Sequence, residues 1–489
     1  MRRPSLLLCT ALLLSSFVIR HSSFAAQPNV LILLADDLGY ADIGAQGCQD
    51  IPTPHIDSLA KNGVRCTSGY VSSCMCSPSR AGLMTGRSQS RFGHEINWEG
   101  NGPSGEKGLP LTEKTFPQLM KAGGYRTGVI GKWHLGNEER FHPLARGFDE
   151  FFGFLGGGHD YLMDWRPDNL LQRNHDTIGA TSKKPDDSKY LTTVLGNEAA
   201  AFIHRNKDAP WFLYVPFNAP HTPKQATAAL LARFAHITDE NRRTYAAMVS
   251  GMDDAVGTIL DQLRKDGIED NTLIVFLSDN GGPLERNGSL NTPLSGEKGT
   301  MFEGGIRVPF LVQWKAKLPA GKTYDRAVSS LDLLPTALAA AKVAIIAPRD
   351  APGASPASPT ADSSKANASS EGPSSSRGAV TATFDGVDIV PFLAGERSGD
   401  PHDFLFWRMS YRRIWAVRAG DDKIVMQAQG KPPHPTSRTP RLVNLADDLK
   451  ELTDLTAQNP ARASELRARY DAWNATLPAP LWKPEKGDK

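Results

Sequence analysis

"NVLILLADD", from Asn29 to Asp37, runs six apolar residues together and stops on two aspartates. A run that short, with no polar residue alternating through it, is the mark of a strand buried on both faces, as in a parallel sheet covered by helices. Three other stretches repeat the pattern: "GYRTGVIGKWHLG" (124–136), "PWFLYVPFNAPHTP" (210–223) and "NTLIVFLSDNGG" (271–282). Between them lie helical segments. In the one predicted over Asn241 to Asp266, Tyr245, Met248, Met252, Val256, Ile259 and Leu263 recur at helical spacing as a core-packing stripe. Strands alternating with helices predict a doubly wound α/β domain.

Ligands in such folds sit beyond the carboxyl ends of the strands. The residues found there are Asp36 and Asp37, Lys132 and His134, His221, and Asp279 and Asn280. Four strand ends that deliver oxygen ligands, a lysine and two histidines predict one shared polar site.

Composition narrows the rest. The chain has 489 residues, 40% of them hydrophobic and 22% charged, so it can bury a large core. Its net charge is only +2, which argues against a nucleic-acid partner, since that would need a basic face. Arg2 and Arg3 precede an apolar run from Ser5 to Ile19, followed by small residues at Ser23 and Ala25. Residues 1–25 therefore read as a signal peptide, with the protein exported to a periplasm or secreted and no stable membrane span after cleavage. Residues 348–383 collapse to Ala, Ser, Pro and Gly, a low-complexity insertion expected to be disordered. The catalytic domain is expected over 27–395. A small α+β domain follows over 396–489, with short alternating strands in "FLFWRMSYRRIWAVRAGDDKIVMQ" and a closing helix near Pro460.

Without Cys9, the chain past the signal keeps Cys48, Cys66, Cys74 and Cys76, too few for a disulfide framework in so long an exported protein. Cys74 and Cys76 are too close to bridge easily, and no further pair follows for a zinc site. "Cys76-Ser77-Pro78-Ser79-Arg80" followed by "AGLMTGR" resembles the signature of the formylglycine-dependent sulfatases. "ADD" after the first strand, "GKWHLG" (131–136), "SDNGG" (278–282), "GEKGTMFEGGIRVP" (296–309) and "LVNLADDLKEL" near the C-terminus are similar to further blocks of that family, in its order. The resemblance covers about Asn29 to Trp473 apart from the insertion, and five ordered blocks are far more specific than one motif.

The resemblance implies an alkaline-phosphatase-like large domain, with a mixed, mostly parallel sheet between helices, and a small C-terminal domain with a short antiparallel sheet. It implies that a maturation enzyme oxidises Cys76 to formylglycine. The hydrated aldehyde carries two hydroxyls on one carbon: one attacks sulfur, and loss of the other's proton ejects sulfate as the aldehyde re-forms. A serine has no such exit. Pro78 suits the first turn of a helix, which puts residue 76 at an N-terminus that favours anions, with Arg80 one turn inward. Asp36, Asp37, Asp279 and Asn280 offer side-chain oxygens alone; with residue 76 they form a hard-cation set for one Ca²⁺, ahead of Mg²⁺. His134 is the candidate base and Lys132 a sulfate-binding cation. His221 and Lys298 flank the leaving oxygen. His94, His159 and Asp160 are candidate substrate contacts, and Glu303 and Arg307 read as structural.

Export points to a sulfated carbohydrate or glycosaminoglycan fragment as substrate, with an aryl sulfate also compatible. Specificity is expected from loops at 87–105 and 156–168. "GGGHDY" (156–161) has Gly158 where some relatives carry serine, so a sulfate contact is missing or replaced there. Two rivals remain. A phosphate or phosphonate monoester hydrolase of the same superfold typically has Asp-His in place of Asp279-Asn280. An inactive glycan-binding relative would be expected to lose a site residue, and none is missing.

Overall fold

The structure is a computed structural model. It describes residues 27–98, 105–162, 169–178, 186–346, 379–427, 437 and 439–483. The four apolar runs are strands: β1 (Asn29–Ala35), β2 (Arg126–Lys132), β3 (Trp211–Pro216) and β4 (Thr272–Ser278). They lie in the order β4-β1-β3-β2 at the centre of a ten-stranded sheet. Their pairings are all parallel, and residues 150–154 add a further parallel strand beside β2. Antiparallel strands follow on both sides, at 310–313 against β4 and at 171–173 beyond 150–154. The sheet is mixed and mostly parallel.

Every residue of β1 is buried, and its side chains divide between two cores. Val30, Ile32 and Leu34 join one cluster, and Leu31, Leu33 and Ala35 join the other on the opposite face. This is why the sequence shows a continuous apolar run. Each fully buried Leu or Ile contributes about 1.5–3 kcal/mol. The predicted helix spans Glu240–Lys265, capped by the Asp239 side chain, which accepts from the Arg242 N–H at 2.9 Å.

A four-stranded antiparallel sheet (405–409, 414–419, 422–426 and 441–444) makes the C-terminal part. A helix over Pro460–Asn474 covers it, with Tyr470 stacked on Trp415 at 4.1 Å. The junction with the large sheet is ionic. Lys423 Nζ lies 2.8 Å from both Glu303 Oε1 and Glu451 Oε1, and all three side chains are fully buried. Arg307 also reaches Glu303, as the structural reading of that pair expects.

The expected signal peptide lies outside the described residues, as does most of the low-complexity stretch. Its end is a correction: Ala379–Thr381 forms a strand paired in parallel with Ala344–Ile346. Composition hid this, because Val380 alone of the three turns into the core. Among the described residues, no helix is long and apolar enough to cross a membrane.

Candidate active site

The ladder places the site. Ala35 pairs with Ser278, so the next residues, Asp36 and Asp279, emerge side by side, and the Asp279 N–H donates to Ala35 O at 3.0 Å. Asp37 then turns into the left-handed region at φ 66°, which short polar side chains tolerate best. Lys132 ends β2, and its ammonium meets Asp36 Oδ2 at 2.6 Å. These side chains are all but inaccessible to water.

Cys76 opens a helix over Cys76–Thr85 in which every residue is buried. Met75, the residue before it, is extended and offers no side-chain cap; instead Asn97 Oδ1 accepts the Ser77 N–H at 2.9 Å. The helix ends at Gly86, whose φ of 63° closes its last turn. Cys76 Sγ, standing where the oxygens of a modified residue would lie, is 3.6 Å from Asp36 Oδ1, 3.9 Å from Asp37 Oδ1 and 3.0 Å from Lys298 Nζ. One turn inward, Arg80 ties the floor together. It pairs with Asp279 Oδ2 at 2.8 Å and donates to Lys132 O at 3.0 Å. Lys298 in turn meets Asp37 Oδ1 at 2.7 Å.

Burial pushes the Cys76 thiol up to about 12, even with Lys132 and Lys298 drawing it down. Burial acts on Asp37 in the same direction, but Lys298 and His221 outweigh it and hold its carboxyl well below the usual range. His134 is kept neutral by burial, with Lys132 and Arg80 adding to the effect. His221 falls to about 3 through burial, opposed by Asp37. Its Nδ1 is 2.6 Å from Thr222 O and must carry the proton there, so Nε2, 3.6 Å from Asp37 Oδ2, is the atom free to exchange one.

The oxygen donors suit a hard cation. Asp36, Asp37, Cys76 and His221 present atoms within 4.8 Å of one another. Asn280 adds a fully buried Oδ1 with no hydrogen-bond partner, while its Nδ2 donates to Asp37 Oδ1 at 2.7 Å. Three carboxylates (Asp36, Asp37 and Asp279) face three cations (Arg80, Lys132 and Lys298), a near-neutral floor that a divalent ion would turn positive for an anionic substrate. Coordination by Asp36, Asp37, Asp279, Asn280 and residue 76 therefore fits both the donor chemistry and the orphaned oxygen.

Above the floor opens a cavity of about 660 Å³, lined by Cys76, Asn97, Trp98, His134, Asp160, His221, Arg286 and Lys298, among others. Two expected substrate contacts are not in its wall. His94 is fully buried behind the helix, 2.7 Å from Ser77 Oγ and edge-on to Trp482; His159 is fully buried against Phe154. Asp160 does line the cavity. Gly157 makes room for the His134 ring, since a Cβ there would lie 2.8 Å from His134 Nε2. At Gly158 a Cβ would be an ordinary 3.6 Å from His221 Nδ1, so space for the absent serine remains. The expected loops at 87–105 and 156–168 do supply Asn97, Trp98, Gly157, Gly158 and Asp160 to the wall, though sequence reasoning does not single out Asn97 or Trp98. It misses Arg286, which ends a one-turn 3-10 helix over Leu284–Arg286, too short to show a period.

The family model described as Sulfatase matches residues 28–343. The N-acetylgalactosamine-6-sulfatase of Sus scrofa is 36% identical over 333 residues, which are 64% of this chain and 62% of that protein, so the chain spans less than two thirds of that relative. The crystal structure of Ps i-CgsB in complex with k-i-k-neocarrahexaose superposes with a TM-score of 0.78 at 33% identity, covering 94% of this chain and 95% of that one. The phosphonate monoester hydrolase of Agrobacterium radiobacter shares the fold, with a TM-score of 0.60 at 20% identity over 92% of this chain and 95% of that one. With strand ends, helix and matched blocks converging on one cleft, the chain belongs to the sulfatase family and is a sulfatase enzyme.

Proposed function

We propose that this enzyme, exported from the cell, hydrolyses sulfate monoesters on carbohydrate substrates, using a formylglycine made from Cys76 by a maturation enzyme and one Ca²⁺ held by Asp36, Asp37, Asp279, Asn280 and residue 76. The observation that carries it is the position of Cys76 at a buried helix N-terminus, with Lys298 3.0 Å away and Asp36 3.6 Å away on the floor of an open cleft.

A bound calcium ion would supply positive charge to the sulfate oxygens. The hydrated aldehyde would supply both the attacking hydroxyl and the one whose ionisation releases sulfate. The chain's own residues do the rest. Lys298, fixed by Asp37, brings its charge against residue 76, where the ester must lie. Arg80 and Lys132 hold Asp279 and Asp36 in place, so the floor does not rearrange as charge develops. His134, kept neutral, can take the proton of the second hydroxyl. His221 turns Nε2 toward Asp37; burial holds the free ring neutral, so it would have to gain a proton, favoured by Asp37 and the bound anionic ester, before giving one to the leaving oxygen.

Support for a sugar comes from two relatives: one named for N-acetylgalactosamine-6-sulfate chemistry, the other crystallised with a neocarrahexaose. The cavity is also within the roughly 300–1,000 Å³ of small-molecule sites. Asn280 speaks against the phosphonate-hydrolase alternative, and the intact residue set against an inactive glycan binder.

The test combines mass spectrometry with substrate turnover. Protein made beside a maturation enzyme should carry an aldehyde at residue 76 and release sulfate from a panel of sulfated mono- and oligosaccharides. Full activity with an unmodified thiol would end this mechanism, and turnover of phosphonate esters alone would favour the rival.

A further inference from the structure

Arg286 stands in the cleft wall without a use in the chemistry above. It is exposed, and among the described residues its guanidinium has neither an ion pair nor a hydrogen bond. The other cation of the wall, Lys298, is already matched by Asp37 at 2.7 Å. A lone arginine on a protein surface is ordinary, but this one is mounted with care. It ends a short turn that begins at Leu284, held in the left-handed region at φ 45°. A bulky residue there costs about 1–3 kcal/mol and persists only where its surroundings over-determine it.

Hydrogen bonds fix the backbone on every side of it. The Leu284 N–H donates to Ser289 Oγ at 2.9 Å, and Asn241 Nδ2 donates to Glu285 O at 2.7 Å. Arg242 Nη1 holds Gly288 O at 2.9 Å. Most tellingly, buried Asn287 donates from Nδ2 to Asp37 O at 3.2 Å, so the segment carrying Arg286 is fastened to the turn that bears a proposed metal ligand. The backbone under Arg286 is thus fixed relative to the sulfate site, while its side chain keeps all its donors for a ligand.

Resting on the sulfate-ester reading above, we propose that Arg286 is a specificity residue that binds a second anionic group of the substrate, a sulfate or a carboxylate next to the scissile ester. A planar guanidinium grips either group through two parallel N–H donors. The substrate is then a glycan with at least two negative groups within one cleft, and a singly sulfated neutral sugar is a poor ligand.

Binding calorimetry on the full chain with Cys76→Ala, in the presence of Ca²⁺, tests this apart from turnover. The probes are a neutral hexose monosulfate, the matching disulfate, and a monosulfated disaccharide that contains a uronate. Adding Arg286→Ala should weaken a doubly anionic probe about tenfold or more, as expected for a charge-assisted pair, with Arg286→Lys intermediate. The hexose monosulfate, with no group to offer, should change less than twofold. Loss on the disulfate alone assigns a sulfate; loss on the uronate alone assigns a carboxylate. Equal weakening of all three probes, or no change in any, overturns the proposal. Absence of sulfate release by the aldehyde-bearing wild type would instead sink the hydrolase reading and leave this measurement standing.

Discussion

The molecule buries charge in two places, and they are built on different terms. At the junction with the C-terminal sheet, Lys423 sits between Glu303 and Glu451, and the Glu303 N–H donates to Glu451 Oε2 at 2.7 Å. Tyr70, Arg307 and Arg418 close the shell around it. Burial raises Glu303, but Lys423, Arg307 and Arg418 hold it below the ordinary carboxylate range; burial pushes Glu451 up to about 7. The side chains of Lys423, Glu303 and Glu451 are all fully buried. Under the cleft, Asp36, Asp37 and Asp279 are matched just as closely by Arg80, Lys132 and Lys298, yet Asn280 Oδ1 is left orphaned and the cleft opens onto Cys76. Buried charge therefore does not mark a site by itself. Buried charge beneath a cleft that substrate can enter does.

The largest effects should separate the two histidines of the cleft. His134→Ala should still accept sulfate onto residue 76 and fail to release it, so that sulfated enzyme accumulates and can be trapped. His221→Ala should slow the transfer itself, more for alkyl sugar sulfates than for an activated aryl sulfate. Each loss should be roughly 10²–10⁴-fold, read by rapid quench and intact mass. The reverse pattern would exchange their roles, and no effect from either would put both outside the chemistry.

At the junction the loss should fall on stability. Lys423→Ala leaves two buried carboxylates without their shared cation and should cost about 3–5 kcal/mol in denaturant unfolding. Glu451→Gln keeps an acceptor for the Glu303 N–H and should cost much less. Turnover per folded molecule should be unchanged in both. A Lys423 variant that stays stable but loses activity would erase the distinction between the two clusters.

Metal removal sharpens the same contrast. Chelated protein should regain about 2.7 kcal/mol when Ca²⁺ is added at a hundred times its Kd, more than with Mg²⁺, and the Lys423 variant should gain as much. No thermal shift would mean that the floor is as self-sufficient as the junction.

The smallest effect lies at His402, whose Nε2 is 2.9 Å from Asp332 Oδ1. Burial lowers its pKa, but Asp332 outweighs that and raises it above the ordinary 6.5. A histidine raised in this way stabilises fully below its unfolded pKa, and the gain fades as pH climbs through the folded value. His402→Ala should therefore cost about 1.5 kcal/mol near pH 6, and less above neutrality. A cost that grew with pH would contradict the pairing.

The chemistry-bearing strand ends were legible because an apolar run that stops on a charge is a one-dimensional signal. Asp36, Lys132 and Asp279 needed no knowledge of neighbours, and the helix starting at Cys76 followed from Pro78. What failed needed the third dimension. His94 and His159 resemble site residues in sequence, yet one faces Ser77 and Trp482 and the other Phe154. The cleft wall was legible only in part: the loops at 87–105 and 156–168 do line it, but Arg286 ends a single turn whose course depends on what it is fastened to. The antiparallel strands at 171–173 and 176–178 were missed because each has only three residues, too few to show a period.

One feature of the site is a matter of time as well as space. Cys76 and Lys298 touch across 222 residues of sequence, so the thiol leaves the ribosome long before the lysine that closes over it. At 5–20 residues per second the interval is roughly 10–45 s. Once the chain is folded, Cys76 is only 1% exposed, beyond the reach of a modifying enzyme's active site. The proposed conversion of this residue would thus be a race between maturation and folding, with the spacing of two residues along the gene setting how long it lasts.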